Sequence, residues 1–86
     1  MLKVGAKMKS MKERIHQANT EQNLEKKVEL FSKLAVSYWH QSDLKNSKKF
    51  AQLTLNMAQN NNLQNLEASA LNTLGLINVS SNNYDK

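Results

Sequence analysis

One pattern of apolar residue classes occurs twice in this 86-residue chain, 40 positions apart, and that recurrence restricts the fold more than any single motif does. Leu34-Ala35 precedes Leu74-Gly75 by 40 residues, and Leu44 precedes Tyr84 by the same interval. Leu34 over Leu74 is nearly the only identity between the copies, but the classes agree, and class agreement is what packing requires. Self-similarity at a period between about 20 and 50 residues marks stacked units that share a continuous core. Gly75 adds a condition. Glycine in a helix interior costs about 1 kcal/mol against alanine, so a packing reason for it is expected.

The first copy carries Val28, Phe31, Leu34, Ala35 and Tyr38 on one segment, a turn at Gln41-Ser42-Asp43, and Leu44, Ser47, Ala51, Leu55 and Ala58 on the next. At about 100° per residue each set falls on one stripe, so both segments read as amphipathic helices of one hairpin. Asp43 is placed to accept from the free amides of the second helix as its N-cap. Asn60-Asn61-Asn62 is placed to stop it, because asparagine tolerates the left-handed conformation. Shifting the second helix back by 40 residues sets Val4, Met11, Ile15 and Ala18 opposite Leu44, Ala51, Leu55 and Ala58. With Met8 they share an arc of about 80°. Residues 1–20 therefore read as the second helix of a preceding half repeat, or as a cap helix, residues 23–60 as a complete hairpin, and residues 63–86 as the first helix and turn of the next repeat. Helices are expected near 2–18, 23–41, 44–59 and 64–81.

Composition agrees with an all-α chain: there is no proline and there are two glycines, so little interrupts the helical stripes. The absence of cysteine excludes a disulfide framework and a thiolate metal site. It leaves the compartment open, with a cytoplasmic setting favoured. No apolar run reaches the roughly 20 residues that span a bilayer. The net charge of +5 is uneven, since Lys3, Lys7, Lys9, Lys12 and Arg14 face Glu13 alone in the first fifteen residues. A basic amphipathic helix can bind a nucleic-acid backbone or a membrane surface, and residues 3–14 carry that alternative. Lysines flanking a buried stripe explain the same residues without a partner.

The stretch Leu71, Leu74-Gly75-Leu76-Ile77, then Asn82-Asn83-Tyr84-Asp85-Lys86 resembles the first helix and turn of a tetratricopeptide repeat. The usual period of that family is about 34 residues, and the 40-residue spacing here is similar to a longer-helix variant. Together with the Asp43-Leu44-Lys45 and Asn83-Tyr84-Asp85-Lys86 turns and the asparagine-rich links, it resembles the repeats of bacterial signalling proteins, among them sensor histidine kinases and transcription regulators. The resemblance implies a right-handed α-solenoid of antiparallel helix hairpins, about four helices long, broken off within a repeat. It implies repeat-packing roles for Leu34, Ala35, Tyr38, Leu44, Ala51 and Leu55, and likewise for Leu71, Leu74, Gly75 and Tyr84. Ser47 and Thr54 depart from the family by standing where alanine is usual, and Asn78 by replacing an aromatic.

Few residues suggest chemistry. His16 and His40 form neither an HExxH nor a His-x3-His pair, and no glycine-rich phosphate loop is present. Glu21, Glu25 and Glu29 recur at four-residue spacing, with Lys26 and Lys33 near enough to pair with them. Asn78-Val79-Ser80 matches a glycosylation triplet by chance, since it falls near a helix end. The expectation is a chain without catalytic activity, cofactor or metal. In the resembled family the first helix of each hairpin lines a concave face that binds peptides or helices. Carried over, that face takes Glu29, Ser32, Val36, Trp39 and His40 from the first copy, and Ser69, Asn72, Leu76 and Val79 from the second. Members that clamp a C-terminal carboxylate use lysine and asparagine where this chain has Ser32 and Val36, so a peptide or helix with apolar side chains is the implied partner. A half repeat at each end also implies self-association, through stacked open ends or an exchanged helix.

Overall fold

The computed structural model describes residues 10–84, with side chains as far as Ser80. Four helices follow one another, α1 (Met11–Thr20), α2 (Leu24–His40), α3 (Leu44–Asn60) and α4 (Gln64–Tyr84). No strand occurs among the described residues. The last three helices start 20 residues apart, and each follows a three-residue link. The 40-residue recurrence thus contains a regular helix-to-helix step.

Two of the links close in the same way. Ser42 and Asn62 adopt left-handed backbone, φ 64° and 58°. After α2, the Asp43 amide donates to the Tyr38 carbonyl at 2.9 Å and the Ser42 amide to the Trp39 carbonyl at 3.0 Å. After α3, the Leu63 amide donates to the Ala58 carbonyl at 2.9 Å and the Asn62 amide to the Gln59 carbonyl at 3.5 Å. This double closure satisfies carbonyls that a helix end would otherwise leave free. Asparagine supplies the left-handed residue after α3, as expected, and serine supplies it after α2. Asp43 is the N-cap of α3, its carboxylate accepting from the Asn46 amide at 3.2 Å.

The first link is built differently. Glu21 lies between α1 and α2, where its carboxylate accepts from the Asn23 amide at 3.1 Å. The expected row of three glutamates on one helix is therefore reduced to Glu25 and Glu29. The N-terminal boundary also differs from expectation. Ser10 is extended, with ψ 162°, and forms a reciprocal capping box with Glu13. Its hydroxyl accepts from the Glu13 amide at 3.1 Å, and the Glu13 carboxylate accepts from the Ser10 amide at 3.0 Å. A continuous helix over 2–18 is thereby broken at Ser10, and the positions assigned to Val4 and Met8 lie outside the described residues. The S-x-x-E signature of such a box was present in the sequence. At the other end α4 runs through Tyr84, so the turn expected at Asn82-Asn83-Tyr84 is helical backbone. Asparagine is only a modest helix former, and with neither glycine nor proline after Ser80 nothing in the chain enforces a stop there. The packing role given to the Tyr84 side chain lies outside the described side chains.

Packing runs from neighbour to neighbour. The α2–α3 contact is the largest, followed by α3–α4 and α1–α2; α2 and α4 also touch, while α1 meets only α2. The Phe50 ring on α3 stacks against Phe31 at 6.0 Å and Tyr38 at 5.7 Å, both on α2. Ala18, Ala35 and Ala51 are buried in the cluster that holds this stack, and Ala58 is buried further along α3; side chains this short let helix backbones approach closely. Leu34, Leu44, Leu55 and Leu74 are buried or half-buried as expected. The two departures from alanine are accommodated. Both hydroxyls are fully buried, Ser47 donating to the Ala35 carbonyl at 2.7 Å and Thr54 to the Phe50 carbonyl at 2.8 Å. Leu71 and Gly75 are the exceptions to the expected packing set. Leu71 is 51% exposed, and a Cβ built on Gly75 would meet nothing within 4 Å. Both lie on the side of α4 that turns away from α2 and α3, so the sequence-based packing role of Gly75 has no partner within this fold.

Candidate protein-binding groove

The contact between α2 and α4 is narrow, and polar groups sit at it. Ser32 on α2 and Ser69 on α4 bring their hydroxyl oxygens to 3.4 Å. Thr73, one turn further along α4, donates its hydroxyl to the Ser69 carbonyl at 3.1 Å. No buried side-chain nitrogen or oxygen is left without a partner among the described residues. Two clefts that share Val36 and Ser69 lie along this contact.

The larger cleft, of about 480 Å³, lies along Glu29, Ser32, Lys33 and Val36 of α2, with Leu66 and Ser69 of α4 opposite and Arg14 of α1 at its side. The adjoining one, of about 290 Å³, runs between Val36, Trp39 and His40 of α2 and Ser69, Asn72 and Leu76 of α4. Eight of the nine residues selected from the sequence thus line one continuous depression. Val79, the ninth, belongs to neither cleft and is 60% exposed on the last turns of α4.

The depression is chemically polarised. Arg14, Glu29 and Lys33 surround one end, whereas Val36 (37% exposed), Leu76 (43% exposed) and the half-buried Trp39 form the other. Trp39 both packs against the core cluster and lines the cleft, so the core and groove roles weighed for it coexist. Its indole also meets the His40 ring edge-on at 5.2 Å. His16 is exposed on α1 and does not line the depression.

Five contributors were not read from the sequence, among them Ser37 of α2 and Thr73 of α4. Arg14 enters from α1, and no periodicity relates an N-terminal helix to the side of a groove between α2 and α4. Lys33 was taken as a partner for Glu29. Leu66 is half-buried at the cleft edge; its position one turn before Ser69 was the available signal. Outside the groove, the Asp43 carboxyl is held below its ordinary value, first by the Asn46 side-chain amide at 2.9 Å and then by the Asn46 main-chain amide. No protein-family profile matches the chain, and neither the curated proteins nor the solved structures contain a significant match.

Proposed function

We propose that this chain is a tetratricopeptide-like helical repeat that binds a peptide or helix in the α2–α4 depression, without catalysis, as part of a larger bacterial signalling or regulatory protein. The helices would then stack as antiparallel hairpins in a right-handed solenoid. One observation carries the reading. Residues carried over from the resembled repeat family converge, eight of nine, on one depression lined by both copies. A groove with exposed valine and leucine beside a tryptophan has the composition that holds an apolar anchor of a peptide. The clefts are open and shallow, which suits a side-chain row of an extended or helical partner better than an enclosed small molecule.

The test is selection of displayed peptides on the full 86-residue chain, followed by titration of the selected peptides against Val36→Glu and Leu76→Glu. Trp39 is the sole tryptophan, so its emission reports on the groove directly. Binding weakened by about tenfold or more in each variant, a loss of about 1.4 kcal/mol, is the expected result. Peptides that bind both variants as well as the parent chain would place the site elsewhere. A selected set that is acidic, and whose affinity collapses with added salt, would favour the basic segment at residues 3–14.

A further inference from the structure

The side of α4 that faces away from the core has no partner among the described residues. At about 100° per residue Ala68, Leu71, Gly75 and Asn78 share an arc of roughly 80°, opposite the buried Ala70, Thr73 and Ile77. All four are exposed. Under the 40-residue shift they correspond to Val28, Phe31, Ala35 and Tyr38, the face of α2 that α3 covers. Each α4 residue is smaller than its α2 counterpart, so the face is not a copy of the one that α3 covers. Gly75 has normal right-handed helical backbone and no neighbour at its absent Cβ. Nothing among the described residues therefore offsets its cost to the helix.

We propose that this face pairs with the same face of a second copy, α4 against α4 about a two-fold axis. An isologous contact needs a self-complementary surface, and the residue order supplies one. With the helices antiparallel and the axis level with Thr73, Leu71 of each copy lies against Gly75 of the other, and Ala68 against Asn78. A large side chain meets a small one at every position, twice by symmetry. Charge favours the same choice. α4 carries Glu67 and no lysine or arginine, whereas α1, α2 and α3 each display cations, such as Lys12, Lys26 and Lys45. Contacts through the other helices would have to desolvate several charged side chains, whereas α4 carries one, Glu67. A single helix face buries less than the roughly 1,000 Å² of a stable dimer, so the association is weak, with a dissociation constant of roughly 0.1–1 mM.

Sedimentation velocity of the full chain from about 10 µM to about 1 mM tests this, alongside Leu71→Glu, Gly75→Leu, Gly75→Ala and Val36→Glu. The parent chain and Val36→Glu are expected to shift toward a dimer as concentration rises. Leu71→Glu and Gly75→Leu should require about tenfold more protein or fail to dimerise. In dilute melts, where the chain is monomeric, Leu71→Glu should keep the parent midpoint and Gly75→Ala should raise it, although Gly75→Ala weakens the dimer. A parent that stays monomeric at about 1 mM, or a dimer indifferent to Leu71→Glu and Gly75→Leu, overturns the proposal. So does loss of the dilute monomer's fold in Leu71→Glu, which would mean that the face is packed within the chain.

Discussion

The Ser47 hydroxyl reaches from α3 to the main-chain carbonyl of Ala35 in α2 at 2.7 Å, and both residues are buried. A serine at a helix–helix contact would be costly if its hydroxyl were left unbonded. Here it ties the two helices together. Ser47→Ala keeps the small volume and removes only this bond, so a loss of about 0.5–1.5 kcal/mol in denaturant unfolding is expected. Thr54 bonds within its own helix, to Phe50. Its hydroxyl therefore adds less to tertiary stability, and a Thr54→Ser loss should come from the missing methyl. A Ser47→Ala variant as stable as the parent would show that water or local rearrangement replaces the interhelical bond.

Ala35 tests that contact from the other side. It is 1% exposed between α2 and α3, so Ala35→Leu must push the helices apart or force strained rotamers. Overpacking of this kind costs about 1–3 kcal/mol. Ala68→Leu, at an exposed helical position, should change stability by less than about 0.5 kcal/mol. Equal losses in the two variants would contradict the burial difference.

Ser42 occupies left-handed backbone at φ 64° in the link between α2 and α3. Non-glycine residues pay for that conformation, while glycine adopts it freely. Ser42→Gly should raise stability by about 0.5–1 kcal/mol. Asn62→Gly should gain less, because asparagine already tolerates φ 58°. Thermal melts of the pair measure the difference, and a Ser42→Gly variant less stable than the parent would refute the assigned turn.

Asp43 makes stability depend on acid. Its carboxyl is held below the ordinary 3.8 by hydrogen bonds from Asn46, with the nearby Lys45 charge adding to them. Because the folded value is the lower one, the unfolded chain takes up the proton first as pH falls. The stabilisation is complete above about pH 5 and is lost as pH falls through the folded value. Asp43→Asn keeps an acceptor at the N-cap and removes the titration. The stability gap between parent and variant should therefore narrow between about pH 5 and about pH 2. A gap constant over that range would show that the bonds to Asn46 do not discriminate the ionised form.

Much of this arrangement was legible locally. The stripes through Val28, Phe31, Leu34 and Ala35 and through Ser47, Ala51 and Ala58 located α2 and α3, since burying one face of a helix leaves a 3.6-residue trace in the residues themselves. Asp43 and Asn62 marked a helix start and stop because capping is satisfied within a few residues of chain. The groove residues came from the resemblance to a repeat family in which the first helices of successive hairpins line one face, and the 40-residue period only set equivalent positions side by side. The boundary at Ser10 was legible too, through Glu13, although the long apolar stripe from Val4 concealed it.

Other features depended on distant chain segments. Arg14 joins the groove only because α1 lies against α2, and no spacing within the sequence encodes that contact. The same limit applies to Gly75 and Leu71. Their residue types announce a packed helix face, but whether a face is covered depends on what the rest of the fold brings to it. Trp39 was read as a groove residue, and its packing against the core cluster as well depends on where α3 and α4 lie relative to α2. The sequence by itself determined where helices form and which stripe each would bury, because those are local consequences of periodicity and capping. The tertiary structure decided which buried stripes found partners, since that depends on the relative placement of whole helices.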